Sequence, residues 1–199
     1  MSFAVWNILD LIAEFGEEAT QTILSRFSCK KADAAASLNP NLESFAKNYA
    51  VHFALKKVAV SYLVGSEEDG GVLGLFTLAH KPVEIPAVGL SKTSIRSLER
   101  YANLDESGSS YLVSGFLLAQ FGKNYAFDNG RQISGAELMR LAYKELSDLQ
   151  RRVGGGLVYL DCEPKAPLTE FYENLGFRRF GERNSIKDGK RYLQYMKFF

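Results

Sequence analysis

The stretch from Ile133 to Phe177 constrains the fold more than any other part of this 199-residue chain. Leu138, Leu141, Ala142, Leu146, Leu149 and Val153 recur at three- and four-residue steps, which lays one apolar stripe along a helix. Three consecutive glycines, Gly154 to Gly156, stop it. The apolar run Leu157 to Leu160 is too short for a second helix, is rich in strand formers and is bounded by turn residues, so it reads as an interior strand. Pro167 then suits the first turn of a short helix. Leu168, Phe171, Tyr172 and Leu175 share one of its faces, and Gly176 stands where a left-handed residue closes a helix. A long helix, a buried strand and a short helix in this order commit the chain to a mixed α/β core.

The same reading extends along the rest of the chain. Phe3 to Phe15 carries Val5, Ile8, Leu9 and Ile12 at helical spacing and predicts an amphipathic helix ending near Gly16. Ile23, Leu24 and Phe27 are compatible with more helix, but Thr22 to Ser28 is read as a strand. Leu42 to Leu55 predicts a helix with Asn41 as its cap. VAVSYLVG and VLGLFTLAH read as two strands joined through SEEDGG, where Asp69-Gly70 supplies the positive φ values of a hairpin turn. After a connection containing Pro82 and Pro86, Leu90 to Ala102 predicts another helix, and 101–110 a polar loop. Tyr111 to Phe121 is apolar apart from Ser114 and Gln120, as in strands buried on both faces, and Gly115 within it fits a bulge or a close backbone approach. Past Phe177 come a strand, a turn at Asp188-Gly189 and a last strand, YLQYMKFF. With no repeat and no low-complexity tract, residues 1–199 are expected to form one domain, 1–40 being an N-terminal extension with an added helix.

Composition narrows the function. A hydrophobic content of 46% suffices for one substantial core, and a net charge of +1 gives no global attraction to nucleic acid or anionic membrane. Charge is nonetheless clustered locally. After Gly176 stand Arg178, Arg179, Arg183, Lys187, Lys190, Arg191 and Lys197 against only Glu182 and Asp188, which is either a solvated hairpin or a phosphate-binding tail. Two cysteines without framework spacing, Cys29 and Cys162, point to a reducing compartment. The first residues lack a basic region and a cleavage site, so a cytoplasmic protein with no membrane segment is expected. His52 and His80 have no ligand neighbours at metal spacing, and neither a nucleophile elbow nor a Walker loop occurs.

FYENLGF resembles the signature that closes the acyl-CoA-binding half of the GNAT N-acetyltransferases, a Tyr, three residues, Gly and Phe, met here by Tyr172, Gly176 and Phe177. ISGAELM resembles in part the phosphate loop and helix start of the same family. Gly135 fits its final Gly, Ile133 replaces its earlier Gly, and Gly130 takes the place of its Arg or Gln, with Arg131 and Gln132 beside it. The resemblance implies a GNAT-like splayed, mostly antiparallel sheet with helices on both faces, residues 110–182 forming the acyl-CoA half. It implies acetyl-CoA as co-substrate and no metal. Its pyrophosphate would lie against Arg131, Ile133, Ser134, Gly135 and Ala136, and its pantetheine arm along Leu118, Ala119 and Gln120, the Leu118 N–H polarising the thioester carbonyl. Tyr172 would protonate the departing thiolate unless it is simply a core residue, and Glu163, Asp161 or a water would take the amine proton. The implied reaction is acetyl transfer to a primary amine, of a small molecule or of aminoacyl-tRNA as in the toxins of toxin–antitoxin pairs, with tRNA meeting the basic tail. The competing expectation is a non-catalytic acyl-CoA-binding or sensor domain. A homodimer is left open.

Overall fold

The computed structural model of the protein describes residues 2–31, 34–126, 132–186 and 188–199. Its elements are β1 (Phe3–Asn7), α1 (Ile8–Phe15), α2 (Glu17–Ser25), α3 (Pro40–Asn48), α4 (Ala50–Leu55), β2 (Val60–Ser66), β3 (Val72–Pro86), α5 (Lys92–Leu98), β4 (Ser110–Lys123), α6 (Gly135–Val153), β5 (Leu157–Cys162), α7 (Ala166–Asn174), β6 (Arg178–Asn184) and β7 (Arg191–Phe198). The strands form one sheet in the order β1-β2-β3-β4-β5-β7-β6. β4 and β5 run parallel, while β1 and β2, β2 and β3, β5 and β7, and β6 and β7 pair antiparallel. This is the mixed α/β class expected, with a mostly antiparallel sheet. Two compact units divide the chain, Met1–Ala79 with Ala119–Glu145, and His80–Leu118 with Leu146–Phe199.

In the first unit, the expected helix from Phe3 begins only at Ile8. Phe3–Asn7 is instead a strand laddered on β2, with Val5 opposite Val64, and the Asn7 side chain caps α1 by accepting from the Leu9 N–H at 2.9 Å. The Trp6 ring lies across Gly65 of β2, where a Cβ would come within 2.2 Å of it. Thr22–Ser28 is not a strand. Helix α2 runs to Ser25 with Thr20 and Leu24 buried one turn apart, and Thr20 and Thr22 turn their hydroxyls back onto the carbonyls of Gly16 and Glu18, each at 2.9 Å. The helix expected from Leu42 to Leu55 is broken at Tyr49 into α3 and α4. Its cap is Asn39 rather than Asn41, because Pro40 occupies the first turn and Asn39 accepts from Leu42 N–H at 3.0 Å. Ile8, Leu24, Leu42, Ala46, Ala50 and Ala54 pack on Leu63 and Leu75. Gly74, next to Leu75 and so on the opposite face, would place a Cβ 3.0 Å from Leu138 of α6, so helices cover both faces of the strands here.

In the second unit, β3 continues through the expected Pro82–Pro86 connection, with Val83 and Ile85 buried, and the expected helix 90–102 contracts to α5, capped by Ser91. Leu98 packs with Val83, Ile85, Tyr111, Val113, Leu157, Tyr159 and Met196. Gly115 makes the close approach anticipated, a Cβ there meeting Leu157 at 2.9 Å. The opposite face of β7 carries Tyr195, whose ring tilts against Tyr172 of α7. Gly176 ends the α7 turn at φ 83°, as expected. Two apolar residues assigned to buried stripes lie outside them, Val153 at the exposed end of α6 and Leu168 near the start of α7.

Candidate functional site

In the second unit, the parallel pairing of β4 and β5 is short. It covers Gly115 opposite Leu157, Phe116 opposite Val158 and Leu117 opposite Tyr159, and there it stops, although β5 runs on to Cys162. Leu118, buried, is the first β4 residue past the last pair, whereas among the described residues Leu160, Asp161 and Cys162 pair with β7 alone. Backbone groups released in this way need another partner, and a ligand carrying amides can supply one. Tyr172 of α7 lies close enough to Cys162, the last residue of β5, for the two to interact electrostatically. Its ring meets Phe171, Phe177 and Tyr195 at centroid distances of 5.1, 5.6 and 6.4 Å, and no hydrogen bond among the described residues uses its hydroxyl. Burial pushes the phenol well above its ordinary range, and the Cys162 thiol adds to the shift. Cys162 itself is pushed up to about 11, chiefly by burial and then by Asp161 and Glu173, so it is a neutral thiol rather than a nucleophile. A phenol of raised pKa is fully protonated at neutral pH and can give a proton to a thiolate.

Glu163 follows β5 and is clamped. Lys190 donates to it at 2.8 Å, Lys165 pairs with its other oxygen, and these two cations, Lys165 foremost, hold the carboxyl below its usual range. Asp161 accepts from Arg183 at 2.7 Å and Gln194 at 3.3 Å. The Glu163 carboxylate, so neutralised, is a weak base.

In the first unit, Ala119 is exposed and Gln120 half-buried on β4, and Ile133 is buried ahead of α6. Ser134, Gly135 and Ala136 form the start of that helix, while Arg131 lies outside the described residues. The start is closed by a capping box. Glu137 N–H donates to Ser134 Oγ at 3.1 Å, and the Glu137 carboxylate accepts from Ser134 N–H at 3.0 Å. The Ser-x-x-Glu spacing signals this directly in the sequence. Asn124, just past β4, is a residue that sequence reasoning missed. It is buried, accepts from Ser28 N–H at 2.8 Å and Ala126 N–H at 3.1 Å, and donates to the Val72 carbonyl at 2.8 Å. An asparagine in GKNYAFDNG reads as loop, and the long-range partners of Asn124 are what reveal that it ties the end of β4 to Ser28 and Val72.

No protein-family model matches the chain, and no curated protein sequence does. Solved structures do. AtaT complexed with acetyl-methionyl-tRNAfMet is 13% identical with a TM-score of 0.60, over 96% of this chain and 94% of that one. A Tyr-to-Phe mutant of KacT is 14% identical with a TM-score of 0.63, over 98% and 95%. AtaTR bound with AcCoA is 15% identical with a TM-score of 0.57, over 98% and 92%. At this identity the likeness is one of fold, and it spans nearly the whole chain, N-terminal helices included. The chain thus shares the fold of AtaT and KacT, a mixed α/β fold with a mostly antiparallel sheet.

Proposed function

We propose that this chain transfers an acetyl group from acetyl-CoA to the amine of an aminoacyl-tRNA. The observation that carries the reading is the early end of the β4–β5 pairing beside a buried, protonated Tyr172. The fold likeness to AtaT with acetyl-methionyl-tRNAfMet, and to AtaTR with AcCoA, supports the choice of donor and acceptor. Leu118 N–H would polarise the thioester carbonyl, and Ser134, Gly135 and Ala136 would present N–H groups to the pyrophosphate. As the amine nitrogen bonds to the carbonyl carbon and the carbon–sulfur bond breaks, Tyr172 gives its proton to sulfur. With Glu163 and Asp161 tied to cations, the amine proton passes to water. The reaction belongs in the cytoplasm, and no helix among the described residues is long and apolar enough to cross a membrane. A homodimer is compatible with this chemistry and is not required by it.

One observation favours the second reading, a domain that keeps the fold without turnover. The Glu137 carboxylate already occupies an N–H at the start of α6, where a pyrophosphate would bind. Release of free CoA thiol decides between them. Turnover with charged tRNA supports the proposal, turnover with small amines alone removes the tRNA acceptor, and no turnover with either leaves the non-catalytic domain.

A further inference from the structure

Helix α7 carries Tyr172 and has little of its own to hold it in place. It is nine residues long, no side chain caps its N-terminus, and Tyr172 is its one buried residue. A helix this short is marginal without tertiary ties. Strand β7 supplies two. The Tyr195 hydroxyl donates to the Glu173 carboxylate at 2.8 Å, and the Lys197 ammonium donates to the Leu175 carbonyl at the helix end, also at 2.8 Å. Backbone bonds close the same turn, from Gly176 N–H to the Glu173 carbonyl at 2.9 Å and from Phe177 N–H to the Tyr172 carbonyl at 3.1 Å. The buried Tyr195 ring tilts against the ring of Tyr172. One side chain of β7 therefore meets the proton donor with its ring and the next residue of α7 with its hydroxyl.

We propose that Tyr195 and Glu173 are positioning residues for the acetyl-transfer step, their hydrogen bond tying α7 to β7 and fixing where the Tyr172 hydroxyl stands relative to the leaving thiolate. This inference rests on the acid role given to Tyr172 above. A phenylalanine would fill the Tyr195 position in the core equally well, so the hydroxyl adds the reach to Glu173 rather than packing. Burial, and after it Glu173, push the Tyr195 phenol up to about 12, so it remains a donor at neutral pH. Glu173 is exposed and, freed of Tyr195, returns to water at small cost, so the bond contributes more to orientation than to stability. Proton transfer needs donor and acceptor within hydrogen-bond reach, and a misplacement of about 1 Å can cost ~10²-fold. A helix that rocks on β7 would spend part of its time outside that reach.

The test is a double-variant cycle read by single-turnover release of CoA thiol, with the full chain saturated in acetyl-CoA and charged tRNA in excess. Tyr195→Phe and Glu173→Ala should each slow the transfer step roughly tenfold, part of the ~10²-fold of a full misplacement. The double variant should be no slower than either single one, since both remove the same bond. Glu173→Gln, whose amide oxygen still accepts from Tyr195, should stay within about threefold of wild type. Acetyl-CoA affinity by calorimetry should be unchanged throughout, and melting temperature should fall by no more than about 2–4 °C, the scale of one hydrogen bond in a chain of this length. In a Tyr172→Phe background, Tyr195→Phe should slow nothing further. A folded Tyr195→Phe variant at the wild-type rate, slowing that multiplies in the double variant, or the same slowing in the Tyr172→Phe background overturns this inference and leaves the acid role in place. Tyr172→Phe working at the wild-type rate, or a wild type that transfers to neither charged tRNA nor small amines, overturns the reading beneath it as well.

Discussion

At Tyr172 the ring and the hydroxyl have separable roles, since the ring packs against Phe171, Phe177 and Tyr195 while the hydroxyl enters no hydrogen bond among the described residues. Tyr172→Phe keeps the packing and removes the proton donor. Stability should therefore change by less than about 1 kcal/mol. The acetyl-transfer step should slow by roughly 10²- to 10⁴-fold in single-turnover measurements with saturating acetyl-CoA. A folded Phe variant working near the wild-type rate would return Tyr172 to the core. Glu163 gives the opposite expectation. Its carboxyl is held below the ordinary value of 4.5 by Lys165 and then Lys190, so its ion pairs stabilise the fold above that pH, and the contribution is lost as pH falls through the lower folded pKa. Glu163→Gln should flatten the decline of melting temperature in acid and leave the transfer rate at pH 8 within about threefold of wild type, where loss of a true base would cost ~10²-fold or more.

Elements were legible in the sequence where one local pattern met no rival. The α6 stripe, β5, α7 with its Gly176 stop and the β6–β7 hairpin all follow from periodicity and turn residues. The reading failed where a distant partner decided. Val5, Ile8, Leu9 and Ile12 keep helical spacing, yet Phe3–Asn7 is a strand because β2 lies alongside and Gly65 makes room for Trp6. Of the candidate site, Tyr172 and the α6 start were visible through local motifs, while the clamp on Glu163 needs Lys190 from a hairpin far along the chain. Two element-scale outcomes follow from these contacts. Gly65→Ala would drive a methyl into the Trp6 ring and should destabilise the protein by about 1–3 kcal/mol, with amide exchange in β1 rising first. Glu137→Gln preserves the capping box, since glutamine also reaches the Ser134 N–H, but removes a negative charge from the start of α6. Acetyl-CoA should then bind severalfold more tightly by calorimetry. Unchanged or weaker binding would place the pyrophosphate elsewhere.

Charge read along the whole chain and charge in the folded molecule tell different stories. The sequence presents the tail after Gly176 as strongly cationic, but Arg179 and Arg191 share Glu182, Arg183 pairs with Asp161, and Lys190 pairs with Glu163. Lys197 donates to the Leu175 carbonyl at 2.8 Å. Arg178 alone among the described cations of β6 and β7 has no such partner. These pairs are largely exposed and screened by solvent, so they open readily toward a phosphate. A tRNA acceptor would therefore gain one or two net phosphate contacts here rather than one for every cation. Each contact contributes a slope of about −0.7 to −0.9 in the logarithm of affinity against the logarithm of salt. Raising salt from about 50 to 200 mM should thus lower kcat/KM for charged tRNA by roughly three- to tenfold, far less than the ~10³-fold of a fully engaged basic tail. Arg178→Gln should make the slope shallower by about one contact, and Glu182→Gln, which frees Arg179 and Arg191, should steepen it and raise kcat/KM at low salt. A rate for charged tRNA that changes less than about twofold over this range, in wild type and both variants, would mean that the phosphate backbone is not read by this hairpin.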